Sequence, residues 1–508
     1  MCPSDRLLPR LLAEVEELHP VHSAGIVRLP ELVGVPFSGR VRALVDHPHF
    51  QRLRKVRQLS LTYLVYPGAV HTRFEHSLGV FETATRYLAA LLTDRRAAQA
   101  LEAVTKSDVE SLLVAALLHD IGHYPFAHLL EDLYGEVADH VDLVWHFLTG
   151  EIGRMYPSLA LPAGVPALGK LIVHDWPGVD FHDVSYFVSG ATGGKTYADA
   201  EQPIKSLLRS TLDGSVDADK MDYLYRDSIH CGVPYGRFID RDRFFQALTV
   251  APDRPGEIAL HEKGRIGMEL FAYARSAMYS EVYWHHASRS ITAMLNRAIR
   301  EAAAGEKPLS REALMDLVFA RTDEQVVEWL AAADNAPCRE LMQLLSERKL
   351  YKRLLVVQRP VTRTLFEMLD RLKWEAGASF DRLQDRFVAR INASGVLKPY
   401  RAEPLRPHDV LIDVPHRRGA LHDVPIIREH GEHSGEMEEP SGVWTGIGED
   451  FERWVRKIRI FCHPAVRADL EAKGCKEPPP ALRDRLVNLL LECAWEEQPL
   501  QGEGARKD

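Results

Sequence analysis

An uninterrupted apolar run, Leu112-Leu113-Val114-Ala115-Ala116-Leu117-Leu118, leads straight into His119-Asp120 and is stopped by Ile121-Gly122 and Pro125. A run of this kind, apolar on every face, reads as a helix buried all round. Glycine and proline end it at once, so an imidazole and a carboxylate stand at the mouth of a buried helix. A buried carboxylate is costly unless it is paired or bound to a metal, and His with Asp at one helix end supplies two ligands with room for others. Histidine is abundant, at 23 residues, and further His-Asp pairs begin at His174, His182, His408 and His422. Those stand in loop-like or strand-like surroundings and read as surface or turn residues.

Elsewhere the pattern is mainly helical. Apolar residues recur at three and four from Val41 to Glu301, as in Val80 to Leu92 and Met268 to Ile299. Residues 164–203, with prolines, glycines and short apolar runs, read as a loop insertion. Helical pattern resumes from Ser310 to Leu372, including Glu324 to Leu330 and Leu341 to Leu355. After Pro399 the segments Val410 to Val414, Val424 to Ile427 and Ile458 to Phe461 read as short strands. The expected division is an N-terminal segment 1–40, a core 41–305, a helical extension 306–398 and a C-terminal α+β part with its tail, 399–508. The polar, glycine-rich stretch from Glu429 to Gly448 reads as a mobile loop.

Composition narrows the function classes. With 46% hydrophobic and 27% charged residues the chain is ordinary globular material, which excludes disorder or collagen-like repeats as a description of the whole. A net charge of −9 provides no global attraction to nucleic acid or anionic membrane, so any phosphate site must be a local cluster of Arg and Lys. Such a groove leaves nucleic-acid binding open. No apolar run reaches membrane-spanning length, the start lacks a signal-peptide core, and the six cysteines show no Cys-x-x-Cys. A soluble cytoplasmic protein with free thiols is the expectation. Ser189 to Thr196, after the strand-like Val184 to Val188, nearly spells a phosphate-binding loop, but Ser189 stands where that pattern needs glycine. A loop beside the cleft is the better reading.

Two more constellations accompany His119-Asp120. One is Val70-His71-Thr72-Arg73-Phe74-Glu75-His76, where a turn delivers polar residues onto the next helix. The other is Asp217-Ala218-Asp219-Lys220-Met221-Asp222-Tyr223-Leu224-Tyr225-Arg226-Asp227, in which positions 219, 223, 226 and 227 share one helical face. The order Arg73 to His76, then His119-Asp120-Ile121-Gly122-His123-Tyr124-Pro125-Phe126-Ala127-His128, then Asp217 to Tyr223 resembles the HD-domain phosphohydrolase superfamily. Within it, the likeness is to the deoxynucleoside triphosphate triphosphohydrolase branch, and it extends from about Val41 to Phe461. The resemblance implies a mainly α HD-domain helical core with a small C-terminal α+β subdomain.

It also implies a metal held by His76, His119, Asp120 and Asp219, a mixed nitrogen and oxygen set that suits Mg, Mn, Fe, Zn or Ni. A metal there would polarise the α-phosphate of a dNTP and activate water for attack, giving a deoxynucleoside and inorganic triphosphate. The residues matching the family's proton donors are His128 and His140, with His123 beside them. Val141 stands where the family commonly has Glu. Arg73, Lys220 and Arg275 would hold phosphates, and Gln58, Leu59 and Asp227 would contact the sugar. Arg275, Tyr279 and Tyr283 are spaced to share one helical face. Tyr283 would pack near the 2′ carbon and exclude a ribose hydroxyl, with Tyr223 and Tyr279 also lining the substrate. A second, activating nucleotide would meet Asp46, Gln51, Arg54, Arg348 and Lys352, and members of the branch assemble into tetramers around it. Here Leu18-His19-Pro20-Val21-His22-Ser23 departs from the family's upstream segment, losing an acid and a glycine. The alternatives are an HD phosphodiesterase or phosphatase acting on another nucleotide or on nucleic acid, and a nucleotide sensor without turnover.

Overall fold

A computed structural model describes residues 4–19, 25–31, 34–134, 140–191, 202–254, 256–303, 310–416, 424–428, 437–438 and 442–498. Helices dominate, as expected. Two compact units form: Met1–Met278 with Ser310–Val326 and Ala420–Gly448, and Tyr279–Leu309 with Val327–Gly419 and Glu449–Asp508. Among the described residues no helix is long and apolar enough to cross a membrane.

In the first unit the apolar run becomes helix Lys106–Leu118, buried throughout from Asp108 to Leu118. Thr105 starts it: its hydroxyl accepts from the Asp108 amide, and the Asp108 carboxylate accepts from the Thr105 amide, so two otherwise orphaned donors are satisfied. Leu112, Leu113, Leu117 and Leu118 are wholly shielded from water. At about 1.5–3 kcal/mol each, these four side chains alone contribute on the order of 10 kcal/mol before chain entropy is counted. The helix packs on Arg73–Thr93 and Phe181–Ser189, and Arg73–Thr93 packs in turn on Ala218–Cys231. Four helices distant in sequence are thereby drawn together.

Two sequence expectations fail here. Residues 164–203 contain helices Leu168–Asp175 and Phe181–Ser189 rather than a loop. The second covers Val184 to Val188, read as strand-like from a short apolar run, which periodicity alone cannot tell from a buried helix. Local chemistry decides it. Asp180 accepts from the His182 amide at one end, and Gly190, left-handed at φ 76, ends the other. With a helix where a phosphate loop needs a strand, that motif is excluded, and its residues 192–196 lie outside the described ones. Strands Leu248–Val250, Ile258–His261, Ile426–Ile427 and Met437–Glu438 form a small sheet in that order, with Leu260 beside Ile426 in the parallel pair. Much of the stretch expected as a mobile loop, Glu429 to Gly448, lies outside the described residues, but helix Gly442–Asp450 occupies its end.

The second unit has a three-stranded antiparallel sheet with Ile458–Cys462 between Lys352–Val357 and Val410–Asp413. Helices Arg363–Glu375, Gly377–Ser394 and Pro480–Glu496 share its core through Leu369, Phe387, Leu486 and Leu490. The helical pattern expected to run from Leu341 to Leu355 stops at Ser346. Strand Lys352–Val357 then pairs with a strand about a hundred residues downstream, a partner that local pattern does not reveal.

Candidate active site

His76 lies in the first turn of Arg73–Thr93, His119 and Asp120 follow the end of Lys106–Leu118, and Asp219 lies in the first turn of Ala218–Cys231. Packing brings these helix ends to one point. His76 Nε2 is 3.3 Å from His119 Nε2 and 2.9 Å from Asp219 Oδ1. Asp120 places one oxygen 3.5 Å from His119 Nε2 and the other 3.8 Å from His76 Nε2. His76, His119 and Asp219 each offer a ligand atom, all within 4.8 Å of one another. The donor set fits a divalent cation.

Neighbouring groups orient the two imidazoles. His76 Nδ1 donates to Asp222 Oδ2 at 2.8 Å, and His119 Nδ1 donates to the Ala116 carbonyl at 2.9 Å, so Nε2 of both rings faces the cluster. Asp222 is gripped by Arg226, which donates from Nε at 2.9 Å and from Nη2 at 2.7 Å and also reaches Glu75 at 2.7 Å. Burial disfavours charge on His76, yet the bonds to Asp219 and Asp222 and the nearness of Asp120 push its imidazole up to about 10. Positive charge is therefore favoured at this point, and a divalent cation would supply it. The buried Asp222–Arg226 pair lies so close to the helix that a Cβ on Gly79 would sit 2.0 Å from both Arg226 Nη2 and Asp222 Oδ1. Only glycine fits there.

The three histidines expected near proton transfer also gather. His123 and His140 have ring centroids 3.7 Å apart, with His128 at 5.3 and 5.2 Å from them. Glu131 joins two of them, accepting from His140 Nδ1 at 2.8 Å and from His128 Nδ1 at 3.2 Å. Burial alone would raise this carboxyl, but those bonds hold it far below the usual carboxylate range. Glu131 thus takes up the orienting task that Val141 cannot. The two clusters meet at Asp120, whose Oδ1 lies 3.0 Å from His123 Nδ1. Gly122 allows this, since a Cβ there would fall 2.0 Å from the His140 carbonyl oxygen. Arg52, half-buried, donates to the carbonyls of Ile121 at 2.5 Å and His123 at 2.6 Å and pins the turn that carries both clusters.

Among the phosphate candidates, Arg73 donates to Asp120 Oδ2 at 2.8 Å, and Lys220 Nζ lies 2.5 Å from Asp217 Oδ2. Asp217 also caps the helix by accepting from the Lys220 amide at 2.7 Å. Arg275 is buried near the end of Arg265–Met278. Asp227 accepts from His71 Nε2 at 2.7 Å, and the His71 carbonyl accepts from the Gln58 amide at 3.1 Å, next to Leu59. Tyr223 is on Ala218–Cys231, half-buried. The regular i, i+4, i+8 face does not form: the α-helix ends at Met278, and Tyr279–Tyr283 is a π-helical turn whose wider winding breaks the register. In the second unit Tyr279 stacks edge-on against Tyr283, Trp284 and Phe451.

Of the activator candidates, Asp46, Gln51 and Arg54 are neighbours in the first unit. Gln51 accepts from Arg54 Nε at 2.8 Å and donates to the Val45 carbonyl at 2.7 Å, while Arg54 lies 3.5 Å over the Phe74 ring. Arg348 and Lys352 belong to the second unit and do not share a helix face: Arg348 follows the helix end at φ 54, and Lys352 opens a strand. Sequence reading missed Asp222, Glu131, Arg52 and His71. The first two had a signal, each lying three residues after a candidate on the same helix face.

Residues 73–162 match the HD domain, and residues 239–382 match the HD associated region. The chain is 31% identical over 379 residues to the uncharacterized protein MJ1154 of Methanocaldococcus jannaschii, covering 73% of this chain and 67% of that one. It is 26% identical over 377 residues to human deoxynucleoside triphosphate triphosphohydrolase SAMHD1, covering 68% and 57%. A phosphohydrolase from Bacteroides thetaiotaomicron has the same fold at a TM-score of 0.58 with 20% identity, covering 86% of this chain and 99% of that one. The chain spans from half to two thirds of the length of the curated relatives it matches. Helix ends that meet at His76, His119 and Asp120 inside the matched region, and a relationship extending over most of the sequence, show that the chain belongs to the HD-domain phosphohydrolase superfamily and resembles its deoxynucleoside triphosphate triphosphohydrolase branch.

Proposed function

We propose that this phosphohydrolase is a dNTP triphosphohydrolase, cleaving a dNTP to deoxynucleoside and inorganic triphosphate. The observation that carries the reading is the junction at Asp120, where the His76–His119–Asp219 donor set meets the His123–His128–His140–Glu131 network. Hydrolysis at phosphorus needs both, one to activate the electrophile and one to move a proton. HD domains bind divalent metals, and an ion on His76, His119, Asp120 and Asp219 would polarise the α-phosphate and activate water.

The remaining work falls to side chains of the chain itself. Glu131, ionised, keeps the Nδ1 proton on His128, so the ring presents Nε2 to the leaving group. Water adds to the α-phosphorus and gives up one proton to solvent, the bond to the 5′ oxygen breaks, and His128 in its doubly protonated form gives that oxygen a proton, which solvent then restores to the ring. Arg73, held against Asp120, and Lys220, held by Asp217, place two cations beside the site to share with an incoming triphosphate. Arg275, Gln58, Leu59, Tyr223 and Asp227 are the further substrate candidates carried by the first unit. Asp46, Gln51 and Arg54 are that unit's share of the proposed activator site, with assembly into tetramers as its consequence. Incubation with each dNTP and Mg, Mn or Fe, with separation of the products, tests the reading. Deoxynucleoside and intact triphosphate, lost in Asp120→Ala and Asp219→Ala, support it. No turnover of any dNTP or dNTP mixture contradicts it.

A further inference from the structure

We propose that His71 is a positioning residue for the nucleotide sugar: it sets the Asp227 carboxylate and the Gln58–Leu59 segment relative to each other, and so makes the enzyme select a substrate that carries the 3′ hydroxyl. The role rests on the dNTP reading given above, since that hydroxyl is the one free hydroxyl a dNTP sugar retains.

His71 reaches both elements at once. Its Nε2 donates to Asp227 Oδ1 at 2.7 Å, on helix Ala218–Cys231, and its carbonyl accepts from the Gln58 amide at 3.1 Å. That backbone contact does not stand alone. Arg57 and Thr72 form an antiparallel bridge, and the Arg73 amide donates to the Val56 carbonyl at 2.9 Å. Residues 56–58 are thereby laid along 71–73, so a shift of His71 displaces both sugar candidates. Gln58 itself points to a ligand: its Oε1 is buried and makes no hydrogen bond among the described residues, which is costly until a donor arrives. A hydroxyl group is such a donor.

The ring is held in turn. His71 stacks on His230, with centroids 4.2 Å apart and planes 13° apart, and no part of its side chain is exposed. His230 Nε2 donates to Glu75 Oε1 at 3.0 Å, and the same oxygen accepts from Arg226 at 2.7 Å. The last torsion of a carboxylate is broad, and a bond from a ring that cannot turn selects one setting of it. A carboxylate has about four acceptor positions, so Asp227 serves His71 and further donors together. His71 Nδ1 makes no hydrogen bond among the described residues, which leaves Asp227 as the polar group this ring orients. Misplacing a group that positions substrate by about 1 Å costs about 100-fold in rate.

The test gives the full chain each dNTP and the 2′,3′-dideoxy analogue of the same base, and measures kcat/KM for both with Mn²⁺ present. Wild type should favour the hydroxylated substrate by about 10–100-fold, the worth of a hydrogen bond to a charged group. In His71→Leu that preference should be largely lost while the dideoxy analogue is handled as by wild type. His71→Gln, which keeps an N–H near the place of Nε2, should restore most of it. Added to Asp227→Asn, His71→Leu should change the preference no further, because the two residues act as one unit. Should His71→Leu fail to fold, His71→Asn, whose amide is too short to reach Asp227, takes its place in each comparison. A purely structural role would lower both substrates together; an unchanged ratio in a variant that melts as wild type does, no restoration by His71→Gln, or no preference in wild type overturns the proposal. Calorimetric binding of the same nucleotides to Asp219→Ala, where hydrolysis is stopped, separates this inference from the function it rests on. Release of triphosphate with a preference that His71 does not move refutes the role of His71 alone. No turnover by wild type, with a binding preference that His71→Leu removes, refutes the triphosphohydrolase reading alone, and neither turnover nor binding refutes both.

Discussion

Replacing Gly79 by alanine adds one methyl group on the face of the helix that carries His76, and the sign of its effect decides whether the Asp222–Arg226 pair supports that imidazole. Helix propensity alone predicts a gain of about 0.5–1 kcal/mol from Gly→Ala. The structure predicts the reverse. The new Cβ would sit 2.0 Å from Asp222 Oδ1 and Arg226 Nη2, so both must retreat by about 1.4 Å or more to reach ordinary contact. Bonds of 2.7–2.9 Å within the pair and 2.8 Å to His76 Nδ1 do not survive a shift of that size. Overpacking costs about 1–3 kcal/mol, and breaking the buried pair would bring the loss to about 3–5 kcal/mol. Loss of the carboxylate behind His76 should weaken metal binding by about 10–100-fold, which is about 1.4–2.7 kcal/mol. Calorimetric melting with and without Mn²⁺, alongside a Mn²⁺ titration, measures both effects. A variant that melts higher than wild type and binds Mn²⁺ equally well would refute the role given to the pair.

Arg52→Met should lower stability by about 2–5 kcal/mol, because two buried carbonyls lose their donor, whereas Arg52→Lys should lose less; urea titration checks this. Glu131→Gln should reduce kcat on dNTP by about 100-fold while leaving KM within about twofold, as expected of a residue that positions a proton donor. Asp323 is fully buried, accepts from the Arg57 amide at 3.0 Å, and is pushed up to about 6 chiefly by burial. Its folded-state pKa lies above the unfolded value of 3.8, so the native state loses stability as pH rises from about 4 to 6, and the cost is complete above 6. Asp323→Asn should therefore gain on wild type by about 2–3 kcal/mol between pH 4 and pH 7.5, read from denaturant midpoints at the two pH values. An unchanged difference between the two proteins would refute that assignment.

Much of the candidate site was legible because the chemistry that marks it is local. An apolar run that ends in His-Asp-Ile-Gly can scarcely be anything but a buried helix with ligands at its mouth, and helix Lys106–Leu118 has that form. That His76 and Asp219 come to the same point was not visible in spacing, since tertiary packing of three helices brings them there; only the resemblance supplied it. The partners of Arg73 and Lys220 were hidden for a similar reason. Sequence showed two cations, and the fold gives each a carboxylate. Errors fell where a short apolar run permits two periods. Val184 to Val188 became helix because Asp180 and Gly190 cap it, and Lys352–Val357 became strand because Ile458–Cys462 pairs with it. The π-helical turn at Tyr279–Tyr283 shifted a face that regular winding would have aligned.

Hydrolysis of each dNTP in ¹⁸O-labelled water, with mass analysis of every product, tests most directly whether water attacks the α-phosphorus under the control of these two clusters. One ¹⁸O in an intact triphosphate, with an unlabelled deoxynucleoside, is the predicted result, and it should vanish in Asp219→Ala. Release of a nucleoside monophosphate with pyrophosphate, or of a diphosphate with phosphate, or label in the deoxynucleoside, would contradict it.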